Sequence, residues 1–185
     1  MLVRAVGELL GREVRAKDGR VGILEDVYFD HDCWELCYLL IAAGERRALL
    51  CSTSIEFDSS AQHALYLSTS CSEIESGAGC WPMDDAVSWL DDIRVCSARQ
   101  VVGSRVLAED GPMGVVSDFF IERRTWSILY LVVKSSSVFG ERHFPVALEW
   151  AEPFDPLEAT VRVRRTRAQL SFPPAVNGTI RLRAR

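Results

Sequence analysis

The residues best suited by type to chemistry are acidic, and they come early in the chain. Asp18, Asp26, Asp30 and Asp32 would offer a hard cation several oxygen ligands. Displaced by 92 residues, the same positions read Asp110, Asp118, Glu122 and Arg124. Asp18 and Asp110 stand where a tight turn favours aspartate, and Asp26 and Asp118 suit capping or hydrogen bonding to backbone. Turn chemistry is therefore the preferred reading, and no metal is assigned. Six cysteines (Cys33, Cys37, Cys51, Cys71, Cys80, Cys96) are the other candidate ligands. Four strand residues separate Cys33 from Cys37 by about 13 Å, too far for a disulfide or one tetrahedral metal. They read as buried thiols acting as small hydrophobes in a reducing cytoplasm. His31, His63 and His143 have no serine or cysteine at nucleophile-elbow or triad spacing. No glycine-rich phosphate loop or dinucleotide fingerprint occurs. The sequence thus offers no catalytic residue and no cofactor site, and predicts a non-enzyme.

Stepping from these residues to what must position them, the chain repeats itself. Leu10–Ile41 lies on Val102–Val133 without a gap, and 10 of 32 paired positions are identical. These are Gly11/Gly103, Val14/Val106, Ala16/Ala108, Asp18/Asp110, Gly19/Gly111, Gly22/Gly114, Asp26/Asp118, Trp34/Trp126, Tyr38/Tyr130 and Leu39/Leu131. A period this long is a duplicated domain rather than a solenoid. Two units of about 75–80 residues each bury little surface and are expected to lean on one another. The second unit, 99–175, has no cysteine, so the fold does not require disulfides. Charge divides unevenly: residues 1–95 hold 8 Lys/Arg against 17 Asp/Glu, and residues 96–185 hold 13 against 9. Opposite halves attract, and the balance disfavours broad non-specific nucleic-acid binding. The longest apolar run, Leu36–Ala43, is too short to span a membrane, and residues 1–7 lack the layout of a secretory signal.

The local pattern predicts strands. Glu13–Ala16 leads to Asp18-Gly19, a hairpin signal whose residues tolerate positive φ, and Val21–Phe29 returns. Gly22 predicts a bulge or a close backbone approach. The Trp34–Ala42 strand is apolar on both faces from Leu36 onward and needs cover on each. Arg47–Cys51, a weak strand near Ser54–Phe57, and His63–Leu67 follow. Ser70-Cys71-Ser72-Glu73 has capping-box spacing and predicts a helical turn. The connector around Asp84–Leu90 reads as a short amphipathic helix. The second copy repeats the order with Arg105–Ala108, Gly114–Ile121, Trp126–Lys134, a loop at Ser135–Gly140, and Arg142–Pro145, Ala147–Trp150 and Thr160–Arg164. A helical turn at Thr166–Leu170 closes it. The tail Thr179–Arg183 alternates like an edge strand, with a frayed end as the alternative.

These residues form a signature: Leu/Val-Gly, an extended hydrophobic residue, Asp-Gly-x-x-Gly-x-x-x-Asp, then Trp before an apolar strand. It reads Leu10-Gly11, Val14, Asp18-Gly19, Gly22, Asp26, Trp34 and Tyr38–Ile41 in one copy. In the other it reads Val102-Gly103, Val106, Asp110-Gly111, Gly114, Asp118, Trp126 and Tyr130–Val133. In this the chain resembles the PRC-barrel family, which includes the cytoplasmic domain of the photosynthetic reaction centre H subunit and part of a ribosome maturation factor. Thr166-Arg167 and Pro173 match the Thr-Arg…Pro ending of tandem members; the looser first counterpart, Ser68-Thr69-Ser70, lacks the basic residue. The resemblance implies small barrels that dock other proteins or help assemble complexes, with no shared catalytic set. The chain lacks the membrane helix of the first context and the partner domain of the second, so neither specific role is carried over.

The expected fold is mainly β: two small antiparallel PRC-type β-barrels in tandem, related by an approximate two-fold, with a short helical connector. The expected boundaries are 1–80, a connector 81–98, 99–175 and a tail 176–185. Candidate partner-binding residues are Trp34 and Trp126, at equivalent strand starts, and the basic run Arg162, Arg164, Arg165 and Arg167. Exposed tryptophans anchor interfaces, whereas the alternative has each covering its own barrel rim or the joint between units. For the arginines the default is a solvated strand face, and the alternative is an acidic contact. The Asp30–Asp32 turn and the Ser135–Gly140 loop would supply the variable recognition surface. The expected role is a cytoplasmic adaptor or regulatory module with a protein partner and no membrane insertion. One alternative is an RNA- or ribosome-associated factor using Arg162–Arg167; a second is a small-ligand or metal-binding protein. A homodimer tied through the tail is a further option.

Overall fold

The computed structural model describes residues 3–56, 64–76, 80–82, 95–122, 125–137 and 140–170. These residues are mainly β. A leading strand β1 (Val3–Ala5) precedes the first copy, which runs β2 (Glu13–Ala16), β3 (Gly19–Asp30), β4 (Leu36–Ala43), β5 (Arg46–Cys51), β6 (Ile55–Glu56) and β7 (Ala64–Leu67). A helical turn α1 (Cys71–Glu75) and strand β8 (Cys80–Pro82) follow. The second copy has its own leading strand β9 (Val95–Ser97) and a turn α2 (Ala98–Val101), then β10 (Arg105–Ala108), β11 (Gly111–Glu122), β12 (Ile128–Ser137), β13 (Gly140–Ala147), β14 (Thr160–Arg162) and α3 (Arg167–Leu170).

The chain divides into two compact units that do not follow the two copies end to end. The first gathers Glu8–Asp30 and Glu35–Ala98; the second gathers Met1–Gly7, His31–Trp34 and Arg99–Arg185. β1 adds antiparallel to β11, with Ala5 opposite Phe120, and β9 adds to β3, with Ser97 opposite Tyr28. Both pairings obey the same 92-residue offset. Each copy's leading strand therefore lies in the sheet of the other copy. The linear boundaries drawn from the sequence do not show this exchange.

Within the first unit the hydrogen-bonded order is β6-β7-β2-β3-β4-β5-β8, and within the second it is β13-β12-β11-β10-β14. Both orders are open paths, and the expectation of closed, wholly antiparallel barrels is corrected in two respects. The sheets are not closed rings, and β7 runs parallel to β2 just as β14 runs parallel to β10. A parallel neighbour needs a crossover connection, which the chain supplies by passing through the intervening hairpin before returning.

The turn residues behave differently from the sequence expectation. Ala16 pairs with Gly19 and Ala108 with Gly111, so the loops are Lys17-Asp18 and Glu109-Asp110, and none of these four residues has positive φ. The mismatch is absorbed by register shifts between Val14 and Arg15 and between Val106 and Leu107. Gly22 and Gly114 explain themselves: a Cβ at either would collide with a backbone carbonyl, of Ala42 or of Lys134 respectively. The close approach expected from the strand glycine is thus present in both copies.

Burial follows the apolar pattern. Leu39 and Ile41 are fully buried, as are Leu131 and Val133 at the equivalent places. Leu40 is also buried, in a cluster with Leu49 against which Tyr28, Tyr38 and Val95 pack. β4 is thereby covered on both faces, as its uninterrupted apolar run requires. Two expectations fail locally. Leu148–Trp150 is a 3-10 turn rather than strand, and most of the expected Ser135–Gly140 loop is ladder, with Ser135 opposite Arg142 and Ser137 opposite Gly140. The expected connector helix and tail strand lie outside the described residues. No described helix is long and apolar enough to cross a membrane.

Two predictions follow from this packing. Gly114→Ala should destabilise the chain by about 1–3 kcal/mol, because the methyl forces two strands apart at a position also held at φ +153; chemical denaturation measures it, and an unchanged midpoint would refute the close-approach argument. Separately produced residues 1–91 and 92–185 should lack cooperative melting transitions and regain one on mixing. Two independently melting monomers would contradict the strand exchange.

Candidate functional site

The shared carboxylates come first, because the two copies place them alike. Ladder register slips between Leu24 and Asp26, and again between Val116 and Asp118, leaving Glu25 and Ser117 as the extra residues. A bulge frees an amide from the ladder. Asp26, 4% exposed, accepts the N–H of Val27 at 2.8 Å, and Asp118 accepts that of Phe119 at 2.7 Å. Asp118 also accepts the N–H of Gly7 at 2.9 Å, just past β1. A Cβ on Gly7 would stand 2.8 Å from the second oxygen of Asp118, so only glycine lets the backbone reach the carboxylate undisturbed. The extra residues also find partners: Glu25 holds Arg47 through two bonds of 2.8 and 2.7 Å, and the Ser117 hydroxyl donates to the Val132 carbonyl.

Asp18 and Asp110 cap helical turns that come much later in each copy. Asp18 accepts the N–H of Cys71 at 2.7 Å, and Asp110 that of Arg167 at 2.8 Å. Ser70 and Glu73 form the capping box expected from their spacing, and Thr166 and Gln169 exchange the same pair of bonds. The structural counterpart of Thr166-Arg167 is therefore Ser70-Cys71, not Ser68-Thr69-Ser70. These N–H contacts hold Asp18 and Asp110 below the ordinary carboxylate range, the Cys71 and Arg167 backbone N–H groups being the main causes. Burial, and then the Asp18 carboxylate, push the Cys71 thiol upward.

Trp34 and Trp126 were expected at strand starts. Both instead occupy the left-handed region, at φ 61 and 58, closing the turns between their hairpin strands. In the second copy the Trp126 N–H donates to the Glu122 carbonyl at 2.9 Å. Trp34 is only 4% exposed, its ring centre 6.5 Å from that of Phe119, so it packs inside the second unit. Trp126 is half-buried. Of the remaining early candidates, His31 sits 3.2 Å from Asp32; the expected burial of the thiols is corrected for Cys33, which is exposed in the turn before β4, and Cys37 and Cys51 are only partly covered, whereas Cys96 is buried. Among the described residues no three His, Cys, Asp or Glu side chains cluster closely enough to hold a metal.

The arginine run divides. Arg167 is tied to Asp110 through its backbone and, at 3.4 Å, through its side chain. Arg165 lies over the Trp150 ring, 5.1 Å from its centre. Arg162 and Arg164 are exposed. Buried Val161 and Val163 alternate with them, as the strand pattern predicted. Beside Arg162, across the β10–β14 ladder, stands Leu107, and Arg105 lies opposite Thr160. Arg105 reaches the carboxylate of Glu158 at 3.7 Å, with both side chains more than three-fifths exposed, a contact of little energetic weight. A residue that the sequence reading missed stands at this margin. Leu157 is 96% exposed on a turn that Asp155 braces by accepting the N–H groups of Leu157 and Glu158, each at 3.0 Å. Its only sequence signal was an apolar residue within an acidic stretch.

Depressed carboxylates fix a pH dependence. The folded pKa values of Asp18 and Asp110 lie below the unfolded ones, so their stabilisation is complete above the unfolded pKa and is lost as pH falls through the folded one. Thermal melts of Asp18→Asn/Asp110→Asn between about pH 5 and 2 should therefore fall less steeply than those of the natural chain. Parallel curves would show that these caps do not titrate with folding.

No protein-family model matches the chain, and no curated protein matches it, so its role must be argued from its own residues.

Proposed function

We propose that the chain is a non-enzymatic adaptor or regulatory module of the PRC-barrel kind, working in the cytoplasm to bind other proteins or assist assembly of a complex. In this reading its two β units are PRC-type modules in tandem. The observation that supports it is how the two copies use what they share. The common aspartates satisfy freed backbone amides and cap helical turns, the common Gly22/Gly114 pair permits close strand approach, and the common tryptophans close hairpin turns. What recurs is scaffold, and what differs is surface, which is the arrangement of a module that varies its partners on a fixed frame.

An RNA- or ribosome-associated role is the second reading, favoured by the Arg165–Trp150 stack beside two further arginines; stacking surfaces of this composition also bind bases. The adaptor reading is tested by capture of the tagged full chain from native lysate, followed by mass spectrometry. A specific protein recovered in near-equal amount is the expected result. Repeated recovery of the chain alone would remove the proposal.

A further inference from the structure

We infer that the face formed by Arg105, Arg162 and Arg164, bordered by Leu157, docks an extended acidic segment of a partner protein that carries an apolar side chain. This rests on the adaptor reading and names the chemistry of that partner. The duplication supplies an internal control. By register, Arg162 and Leu107 occupy the places that Tyr66 and Arg15 hold in the first unit, and Arg105 the place of Glu13. The backbone bond from Arg164 to Trp150 is matched by that from Ser68 to Ser54, and the bond from Glu109 to Arg165 by that from Lys17 to Thr69. One scaffold thus carries Trp150, Arg162, Arg164 and Arg165 in one unit and Ser54, Tyr66, Ser68 and Thr69 in the other. The fold does not need the arginines where they stand.

The first unit also neutralises its version of this face, since Glu13 pairs with Arg15 at 2.9 Å and approaches Arg20 at 3.9 Å. In the second unit, neither Arg162 nor Arg164 forms an ion pair among the described residues. Arg162 ends β14, and Arg164 stands two positions on, in the bend where the Arg165 N–H donates to the Val163 carbonyl at 2.9 Å; both side chains are exposed. Carboxylates of an extended acidic peptide would meet these two exposed forks with charge-assisted bonds. The surroundings favour peptide over polyphosphate. The backbone of Glu152 bonds to that of Arg162, and the chain of Glu158 carries the carbonyl that Arg105 contacts. With the Glu158 carboxylate 3.7 Å from Arg105, the face keeps two outward forks, few for a nucleic-acid backbone, whose affinity grows with each phosphate neutralised. Leu157, held out on its braced turn, suits an apolar side chain and offers nothing to a phosphate.

The test is fluorescence anisotropy of the full chain with a labelled peptide bearing glutamates at alternate positions around one leucine, at low ionic strength. Arg162→Glu/Arg164→Glu should weaken binding by about tenfold or more. Arg46→Glu/Arg142→Glu, the same change in net charge elsewhere, should leave it unchanged. Arg162→Gln/Arg164→Gln should also weaken binding, and serves if the glutamate pair does not fold. Absence of peptide binding, equal loss in the two glutamate pairs, or tighter binding of a single-stranded RNA oligonucleotide would overturn the inference. So would self-association abolished by the same arginine changes, which would make a second copy the occupant. A partner captured equally by the natural chain and the Arg162/Arg164 variant would keep the adaptor reading and remove this face from it.

Discussion

The bend in each central strand is the constraint on which the rest of the structure depends. A twelve-residue strand spans about 40 Å if straight, longer than a unit of this size can cover, so β3 and β11 must kink to keep both ends against a core. The kink costs a ladder partner, and a buried amide left unsatisfied costs about 1–3 kcal/mol. Asp26 and Asp118 remove that cost from within the kink itself. The Asp118 carboxylate also accepts the N–H of Gly7 and so fastens the end of β1 to β11. Bend and leading strand are secured by one side chain.

Much of this was legible in the residues. The repeat, the strand glycines that mark close approach, the capping box at Ser70 and the doubly buried apolar strands all rest on local chemistry, and the folded chain has each of them. What was not legible depends on distant partners. Three residues such as Val3–Ala5 are too few to show a period, so nothing local says that they pair with β11 rather than with their own copy. The parallel pairs are hidden for the same reason, since Ala64–Leu67 looks alike in either direction. Asp18 looked like a turn residue and stands in a turn, but its side chain serves a helix more than fifty positions away. The tryptophans misled because an aromatic before an apolar run looks like the first residue of a strand. Here the hairpin needs a left-handed residue, and tryptophan fills that place at a cost of about 1–3 kcal/mol, offset in Trp34 by burial against Phe119.

Comparing one copy with the other separates fold from role in a way that a single domain does not allow. Positions identical in both copies carry turns, kinks and caps. The arginine run, which reads as one basic patch in sequence, resolves into members with different duties: Arg167 belongs to the cap, Arg165 to Trp150, and only Arg162 and Arg164 are left to face outward. The uneven division of charge along the chain thus has a local expression, a face that is basic in one unit and internally neutralised in the other.

The crossed leading strands also govern when the protein can finish folding. Translation delivers about 5–20 residues per second, and Arg4 must wait for Ile121, over a hundred positions later, before its ladder can form. Until residue 97 is made, β3 lacks β9 along part of its length, and an unpaired edge is a template for unwanted pairing. Neither sheet can therefore be completed by its own copy alone, and a prematurely terminated product is denied the disguise of a complete domain.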